Sequence, residues 1–448
     1  MSQDLSALTD RMLEAARKAG AESADAMAVD GTSVSIDVLD GKLEHAERSE
    51  GVDIGLRVLI GQRQAVVSSS LFDDATLTTM AERAVAMANE APEDPYIGLA
   101  DPTQLANDWD VGTLELYDTT PEPKAAELED DAKRAEATAL AHDGISQVQS
   151  ASAGYGQRRI HLATSNGFSG GYQRSSRSLS CVAIAGEGSA MERDYYGESR
   201  IFQSELPGAE EVGRIAAERT LARAGARRPK TGSYPVIFDE RIASSLVGHL
   251  LAASNGSMIA RGSSWLAGKL GEQILPAGLS ITENPHRPRI SGSKPFDGEG
   301  LATKQRDIVR DGVLQGWTLD LANARKLGME STASASRGTS GPPSPTVSNI
   351  ALTQGDRSLQ ELMKEMGTGL WITSMIGSTI NPNTGDYSRG ASGIWVENGE
   401  PQYAINECTV AGNLLDVLPR IQPANDARTH LSRVVPSLLV EGLTLAGD

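Results

Sequence analysis

Between Ala26 and Ser70 apolar and polar residues alternate with a period of two, most plainly in Ser33–Leu39 (SVSIDVL), and turn signals interrupt the run at Asp40-Gly41, Gly51 and Gly61-Gln62. A period of two places every second side chain on one face, so such a run hides its apolar set only as strands with one covered face. Asp-Gly pairs tolerate the positive φ that tight hairpins require. A meander of short strands is therefore expected. Flanking it, the apolar period lengthens to that of a helix: Leu8, Met12, Ala15 and Ala16 recur within Leu5–Lys18, and Gly20 supplies a stop. SLFDDATLTTMAERAVAMANEA predicts a second helix capped near Phe72–Asp74, and TPEPKAAELEDDAKRAEATALAHDG a third, acidic one with prolines at its start.

Strand patterns return over ISQVQSASAGYGQRRIHLATSNGFSGGYQ and SSRSLSCVAIAGEG, with Asn166-Gly167 as a hairpin turn, and a helix over about Ala209–Ala224 closes this half. The segment GARRPKTGSYP (Gly225–Pro235) concentrates Gly, Pro and basic residues and marks a boundary. Beyond it come short strands and turns, the loop RGTSGPPSP (Arg337–Pro345), and an Asn398-Gly399 hairpin. Hairpin signals outnumber strand–helix–strand units, which favours antiparallel pairing. The expected fold is α+β: an N-terminal α/β domain over 1–226 with a largely antiparallel or mixed sheet flanked by helices, a linker at 227–235, and a mainly β domain over 236–448. A chain of 448 residues suits two or three domains at about 150 residues each.

Composition removes several function classes. The net charge is −18 with no Lys/Arg cluster, which argues against nucleic acid as a direct ligand. Cys181 and Cys408 are the only cysteines, too few for a disulfide framework or a four-thiolate zinc site. The polar start MSQDLSALTD and the lack of any run of about 18 apolar residues lead to the expectation of a soluble, cytoplasmic chain with no membrane contact. His45, His142, His161, His286 and His430 are scattered singly, without metal-ligand spacing.

Three constellations could carry chemistry. In RIASSLVGHLL (Arg241–Leu251), Ser245 and His249 stand at i and i+4, the spacing of a hydrogen-bonded dyad. Ile242, Leu246 and Leu250 repeat alongside, as a packed helix requires, and no G-x-S-x-G elbow holds a serine on a strained turn. In KPFDGEG (Lys294–Gly300), Asp297 and Glu299 could serve as an acid/base pair or cation ligands, or simply solvate a turn. In NPNTGDYSRGASG (Asn381–Gly393), the glycine-punctuated loop with Asn381, Gly385, Asp386 and Ser388 could offer N–H groups to an anion or a peptide, but lacks the P-loop order. The strand GQRQAVVSS could add a peptide at an edge, with an interior position as the default.

Several long blocks occur in a fixed order: VLDGKLEHAERSEGVDIGLRVLIGQRQAVVSSS, GSSWLAGKLGEQI, KPFDGEG, ARKLGMESTASASRG, NPNTGDYSRGASGIWVENGE and ECTVAGNLLDVLP. Together they resemble the TldD/PmbA family, also called TldD/TldE, over nearly the whole chain, and within it the PmbA (TldE) branch. The resemblance implies a subunit of a peptide-cleaving complex. TldD-type members carry zinc on an HExxxH helix with a further cysteine ligand near the C-terminus; TldE-type members lack the site and pair with TldD. The family's roles are maturation of ribosomally made peptides and degradation of small, loosely folded proteins, and an older label is modulator of DNA gyrase.

When Gly248-His249 is set on the family's Gly-His pair, Ser244 stands at the first zinc histidine and Ser245 at the glutamate, so only His249 remains. Serine supplies neither a zinc ligand nor a base at neutral pH. Cys408 precedes the AGNLL block, whereas the family's cysteine follows it. The resemblance thus implies no metal or other cofactor in this chain, with zinc held by a TldD-type partner in a heterodimer, peptide as substrate, and a homodimer reusing the same surface when the partner is absent. Two rivals are a self-sufficient peptidase or amidase using Ser245/His249 or an unrecognised metal, and a non-enzymatic peptide-binding protein.

Overall fold

The computed structural model describes residues 4–447, the side chains of 189, 378 and 379 excepted. Its first half is one six-stranded antiparallel sheet. The strands are β1 (Ser23–Leu39), β2 (Lys42–Ile60), β3 (Arg63–Ser69), β4 (Ile145–Thr164), β5 (Ser169–Ala185) and β6 (Glu192–Arg200), in the order β3-β2-β1-β4-β5-β6. Asp40 and Gly41 both have positive φ, 52° and 68°, as the tight hairpin between β1 and β2 demands. The strands are longer than expected, because Gly51 is no turn: it pairs with Gly31 in mid-ladder and the strand runs on through it. Asn166-Gly167 does form the β4–β5 turn, with Gly167 at φ 111°.

Alternation decides what covers this sheet. Ala24, Ala26, Ala28, Val34, Ile36 and Val38 all point from β1 to one face. Helices α1 (Leu5–Ala19) and α2 (Asp74–Glu90) cover the first three through Leu8, Met12, Leu77 and Met80, and α3 (Ala125–Leu140) and α4 (Ala209–Leu221) cover the last three. Asp4 and Asp73 cap α1 and α2, each carboxylate accepting backbone N–H groups of the first turn. Alanines let α3 and α4 approach closely: a Cβ on Gly213 would stand 2.1 Å from the Ala135 carbonyl oxygen. Among the described residues no helix is long and apolar enough to cross a membrane.

The second half is mainly strand. β7 (Gly232–Phe238) lies between the strands Gly369–Ile380, parallel to it, and Leu438–Ala446, antiparallel. Asp386–Glu397 and Glu400–Asn413 continue from Gly369–Ile380, and Glu400–Asn413 pairs back onto Leu438–Ala446, so the sheet closes into a ring. Asn398 and Gly399, at φ 53° and 79°, turn the hairpin expected there. Helix α5 (Glu240–Ala253) follows β7 and shares the ring's main core with Phe238, Leu370, Ile372 and Val410.

The expected linker 227–235 is structured throughout its second half. Residues 232–235 begin the central strand β7, and Arg227 already exchanges backbone hydrogen bonds with Ala404 and Asn406. Pro235 is tolerated there because the ladder to Leu438–Ala446 shifts register between the partners of Tyr234 and Val236, where no N–H is required.

The two halves meet on the sheet face opposite α1 and α2. Asp25 and Arg57 are cross-strand partners, and Arg57 Nε donates to Asp25 Oδ2 at 2.6 Å. Arg337, delivered by the loop expected at Arg337–Pro345, pairs with the other oxygen of Asp25. All three side chains are at most 5% exposed. Burial works against the Asp25 charge, but Arg337 and Arg57 more than offset it and hold the carboxyl below its usual range. Gly55, on the same face, lets the loop lie directly on the sheet: a Cβ there would be 2.0 Å from the Thr339 carbonyl oxygen. Phe296 adds an apolar contact, edge-on to Phe168, Trp109 and Tyr172 at 4.9–5.6 Å.

Asp25→Asn leaves two buried guanidinium groups with a neutral partner, so unfolding free energy should fall by about 3–5 kcal/mol. Because the folded pKa is depressed, Asp25's contribution in the native chain is present above the ordinary Asp range and is lost as pH falls through the lowered value. Urea denaturation of both chains across acidic and neutral pH checks this. A loss below about 1 kcal/mol would show that the triad does not hold the halves together.

Candidate functional site

Helix α5 starts at Asp239, whose Oδ1 accepts the Arg241 N–H, and its Ala243, Leu246, Val247, Leu250 and Leu251 are buried. Ser244, Ser245 and His249 lie on the half-buried remainder. The structure does not join Ser245 to His249: Ser245 Oγ and His249 Nε2 are both buried and neither has a hydrogen-bond partner. The imidazole instead meets the Tyr387 ring edge-on, 5.6 Å between centroids. Burial, then the nearby Arg389 charge, lower the His249 pKa and keep it neutral at physiological pH. Tyr387 hydroxyl reaches Met375 Sδ at 3.4 Å, and burial pushes this phenol up to about 12.

These residues do not fit a zinc ion. Ser244 and Ser245 supply neither an imidazole nor a carboxylate, and one imidazole flanked by Arg389 is a single ligand in a cationic neighbourhood. Among the described residues no group of three or more His, Cys, Asp or Glu side chains could hold a metal. Cys408 donates its thiol to the Ala391 carbonyl at 3.1 Å, and burial raises its pKa to about 11, so the thiolate a metal needs is disfavoured. Met375 and Cys408 also line a cavity of about 580 Å³ between β6 and the ring.

The start of α5 is fixed by charges that the sequence pattern did not single out. Glu240 pairs with Arg428 at 2.5 Å, Arg428 with Glu198 at 3.2 Å, and Arg241 with Asp194 at 3.5 Å. Glu198 and Asp194 belong to β6, so the helix is tied across the seam to the outermost strand of the first sheet. Tyr387 and Arg389 were also missed. Their alternation in GDYSRGA, which places both on one strand face with Ala391, was the available signal.

Asp297 and Glu299 are brought not to α5 but to the seam. Asp297 is a buried hub: its Oδ1 accepts the Glu299 and Leu301 N–H groups and its Oδ2 the Ala335 N–H, all at 2.9–3.0 Å. It thereby fixes the segment that carries Arg337, and burial still raises its pKa. Glu299 Oε2 accepts the Leu321 N–H at 2.9 Å, and burial, then the charge of Asp297, push its carboxyl up to about 8. This is not the solvated turn that the glycines suggested; both carboxylates are at most 6% exposed.

Asn381, Gly385, Asp386 and Ser388 form and follow a hairpin between Gly369–Ile380 and Asp386–Glu397. Its N–H groups are used internally: Asn381 donates to the Asp386 carbonyl, Gly385 to the Asn381 carbonyl, and Asn383 to the Asn381 side chain. Asp386 accepts from Thr384 and Asn413 side chains, and Ser388 pairs with Ala411 in the ladder. GQRQAVVSS contains β3, which lies at the outer edge of the sheet rather than in its interior.

Comparison with known proteins matches this chain throughout. Family models described as PmbA/TldA metallopeptidase domain 1, central domain and C-terminal domain match residues 24–88, 118–224 and 231–447. The metalloprotease PmbA of Escherichia coli O157:H7 is 37% identical over 93% of this chain and 90% of its own length, and a PmbA homolog of Haemophilus influenzae is 36% identical over 100% and 97%. A solved structure from Bacteroides thetaiotaomicron, described as a putative modulator of DNA gyrase, superposes with a TM-score of 0.92 at 27% identity over both whole chains. TldE from Thermococcus kodakarensis shares the fold, with a TM-score of 0.84 at 19% identity over 98% of this chain and 100% of its own.

Two substitutions test the site's energetics. Ser245→Ala removes a buried hydroxyl that has no partner, so stability should stay level or rise by up to about 1 kcal/mol; a clear loss on thermal unfolding would reveal a hydrogen bond there. Glu299 binds a proton in the folded chain up to about pH 8 but only to about 4.5 when unfolded, so its contribution to stability is lost as pH rises between those values. Glu299→Gln keeps an acceptor for Leu321 and should flatten that decline by on the order of 1–3 kcal/mol; an unchanged pH profile would count against it.

Proposed function

Because this chain belongs to the PmbA/TldD metallopeptidase family, we propose that it is the zinc-free, TldE-type subunit of a peptide-cleaving complex whose catalytic zinc sits in a TldD-type partner. The observation that carries the reading is α5. At the place of the family's zinc helix it presents Ser244, Ser245 and a neutral His249 whose Nε2 is buried without a partner. Three ligands and a base are the minimum for zinc-assisted hydrolysis, and this helix supplies one imidazole. The partner then supplies zinc, water and base, while this chain contributes wall and substrate exclusion.

The serine-based rival is disfavoured by the same helix, because a nucleophile and base need mutual hydrogen bonding and these two make none. Substrates on this reading are peptides or small unfolded proteins, as the family resemblance implies. The likeness to PmbA of Escherichia coli O157:H7 and its Haemophilus influenzae homolog, at 37% and 36% identity, lends support to the branch assignment.

Metal analysis of the purified chain, followed by peptide cleavage with and without a TldD-type subunit, tests the proposal. Zinc well below one per chain, no cleavage alone, and cleavage on adding the partner are expected. Stoichiometric zinc with cleavage by this chain alone would overturn it. Ser245→Ala in the assembled complex should leave the rate within about twofold, less than the loss that removing a catalytic group brings.

A further inference from the structure

A second cavity, of about 270 Å³, opens at the seam between the halves and contains no residue of α5. Its walls come from β2 and β3 (Arg57, Gln64), from the connector after α2 (Asp94, Tyr96), from the short helices Gly256–Ala260 and Leu321–Leu327 with their flanking residues, and from Pro342 and Pro343 of the loop on the sheet. Two of its lining side chains are buried carboxylates. Glu299, 6% exposed, donates no bond and accepts only the Leu321 N–H, on Oε2, leaving Oε1 for the cavity. Asp320, 2% exposed, accepts from Asn323 on Oδ1 alone.

Opposite charges line the same space. Arg57 is committed to Asp25 and Gln64. Arg261 uses Nε on the Ser257 carbonyl and Nη2 on Met258, leaving Nη1, and Lys326 has no ion pair among the described residues. Asp94 accepts the Tyr96 N–H. The cavity therefore offers a desolvated acidic floor and exposed cationic side chains within one small volume. A bare cation would meet Arg57, Arg261 and Lys326, and a bare anion would meet Glu299 and Asp320. A molecule with an ammonium at one end and a carboxylate at the other satisfies both.

We propose that this cavity binds a small zwitterion, a free amino acid or a dipeptide, with its α-ammonium on Glu299 and Asp320 and its carboxylate toward Arg261 and Lys326. The volume lies just under the range of roughly 300–1,000 Å³ usual for small-ligand pockets, which suits a molecule of this size and excludes a longer peptide. Molecules of this kind are also the end products of peptide hydrolysis, but the site stands on its own geometry and holds whether or not the zinc resides in a partner. Glu299 is protonated at neutral pH in the empty cavity, through burial and the charges of Asp297 and Asp320, with Arg57 opposing. An arriving ammonium favours its ionised form, so binding releases a proton to solvent and tightens as pH rises toward about 8.

Calorimetric titration of the full-length chain tests this with glycine, glycylglycine, N-acetylglycylglycine and glycylglycinamide. Saturable binding of glycylglycine or glycine is expected, the stronger of the two identifying the source, with each blocked dipeptide weaker than glycylglycine by at least about tenfold. The binding heat at neutral pH should vary with the buffer's ionisation enthalpy, reporting the released proton. Glu299→Gln should abolish that proton release and weaken the amine-bearing ligands, and Lys326→Gln should weaken the carboxylate-bearing ones, both variants retaining the native circular dichroism. If no ligand gives saturable heat, if the acetylated dipeptide binds as well as the free one, or if folded Glu299→Gln binds unchanged, the proposal fails.

Discussion

One carboxylate holds the two halves of this protein in register. Asp25 lies out of water between Arg57 of its own sheet and Arg337 of the other half, and neither guanidinium could be buried at this depth without it. The ion triad alone is not a source of great stability, since desolvating three charges costs about what their attraction returns. Its value is directional. The loop that brings Arg337 is fixed at its root by Asp297, which grips the Ala335 N–H, and passes over Gly55 with no room for a side chain beneath it. The seam cavity, walled in part by Pro342 and Pro343, depends on where that loop is pinned.

Much of the architecture was legible in the sequence because alternation and turn chemistry are local. The β1–β2 and β4–β5 hairpins and the cap of α2 stand where Asp-Gly, Asn-Gly and Asp side chains put them. The misreadings have local causes too. Gly51 reads as a turn, yet glycine is equally at home opposite Gly31 in a long ladder, and Gly232 and Pro235 read as a linker because nothing nearby reveals the register shift that accommodates the proline. The Asp25 triad was invisible for another reason. Charged residues far apart in sequence are read as surface, and only the chain's path brings them together.

At α5 the resemblance located the helix and its serines, and the structure supplied what surrounds them. Tyr387 and Arg389 approach from a ring strand, which makes the position of His249 apolar on one side and cationic on another. Such surroundings keep an imidazole neutral and repel a divalent ion. The buried, unpartnered atoms of Ser245 and His249 are a small energetic cost carried by this helix.

The closure of the second sheet sets an order of events during synthesis. The six strands of the first sheet end at Arg200 and are contiguous with their covering helices up to Leu221, so that half can assemble while the rest is still being made. The ring cannot, because β7 waits beside an empty lane until the strand Leu438–Ala446 has left the ribosome, some two hundred residues later, to lie between it and Glu400–Asn413. At elongation rates of about 5–20 residues per second this is an interval of roughly 10–40 seconds. For part of it Asp25 and Arg57 are ready and Arg337 has yet to arrive. The first sheet thus presents its seam face, Gly55 included, to the cell before its own loop can cover it.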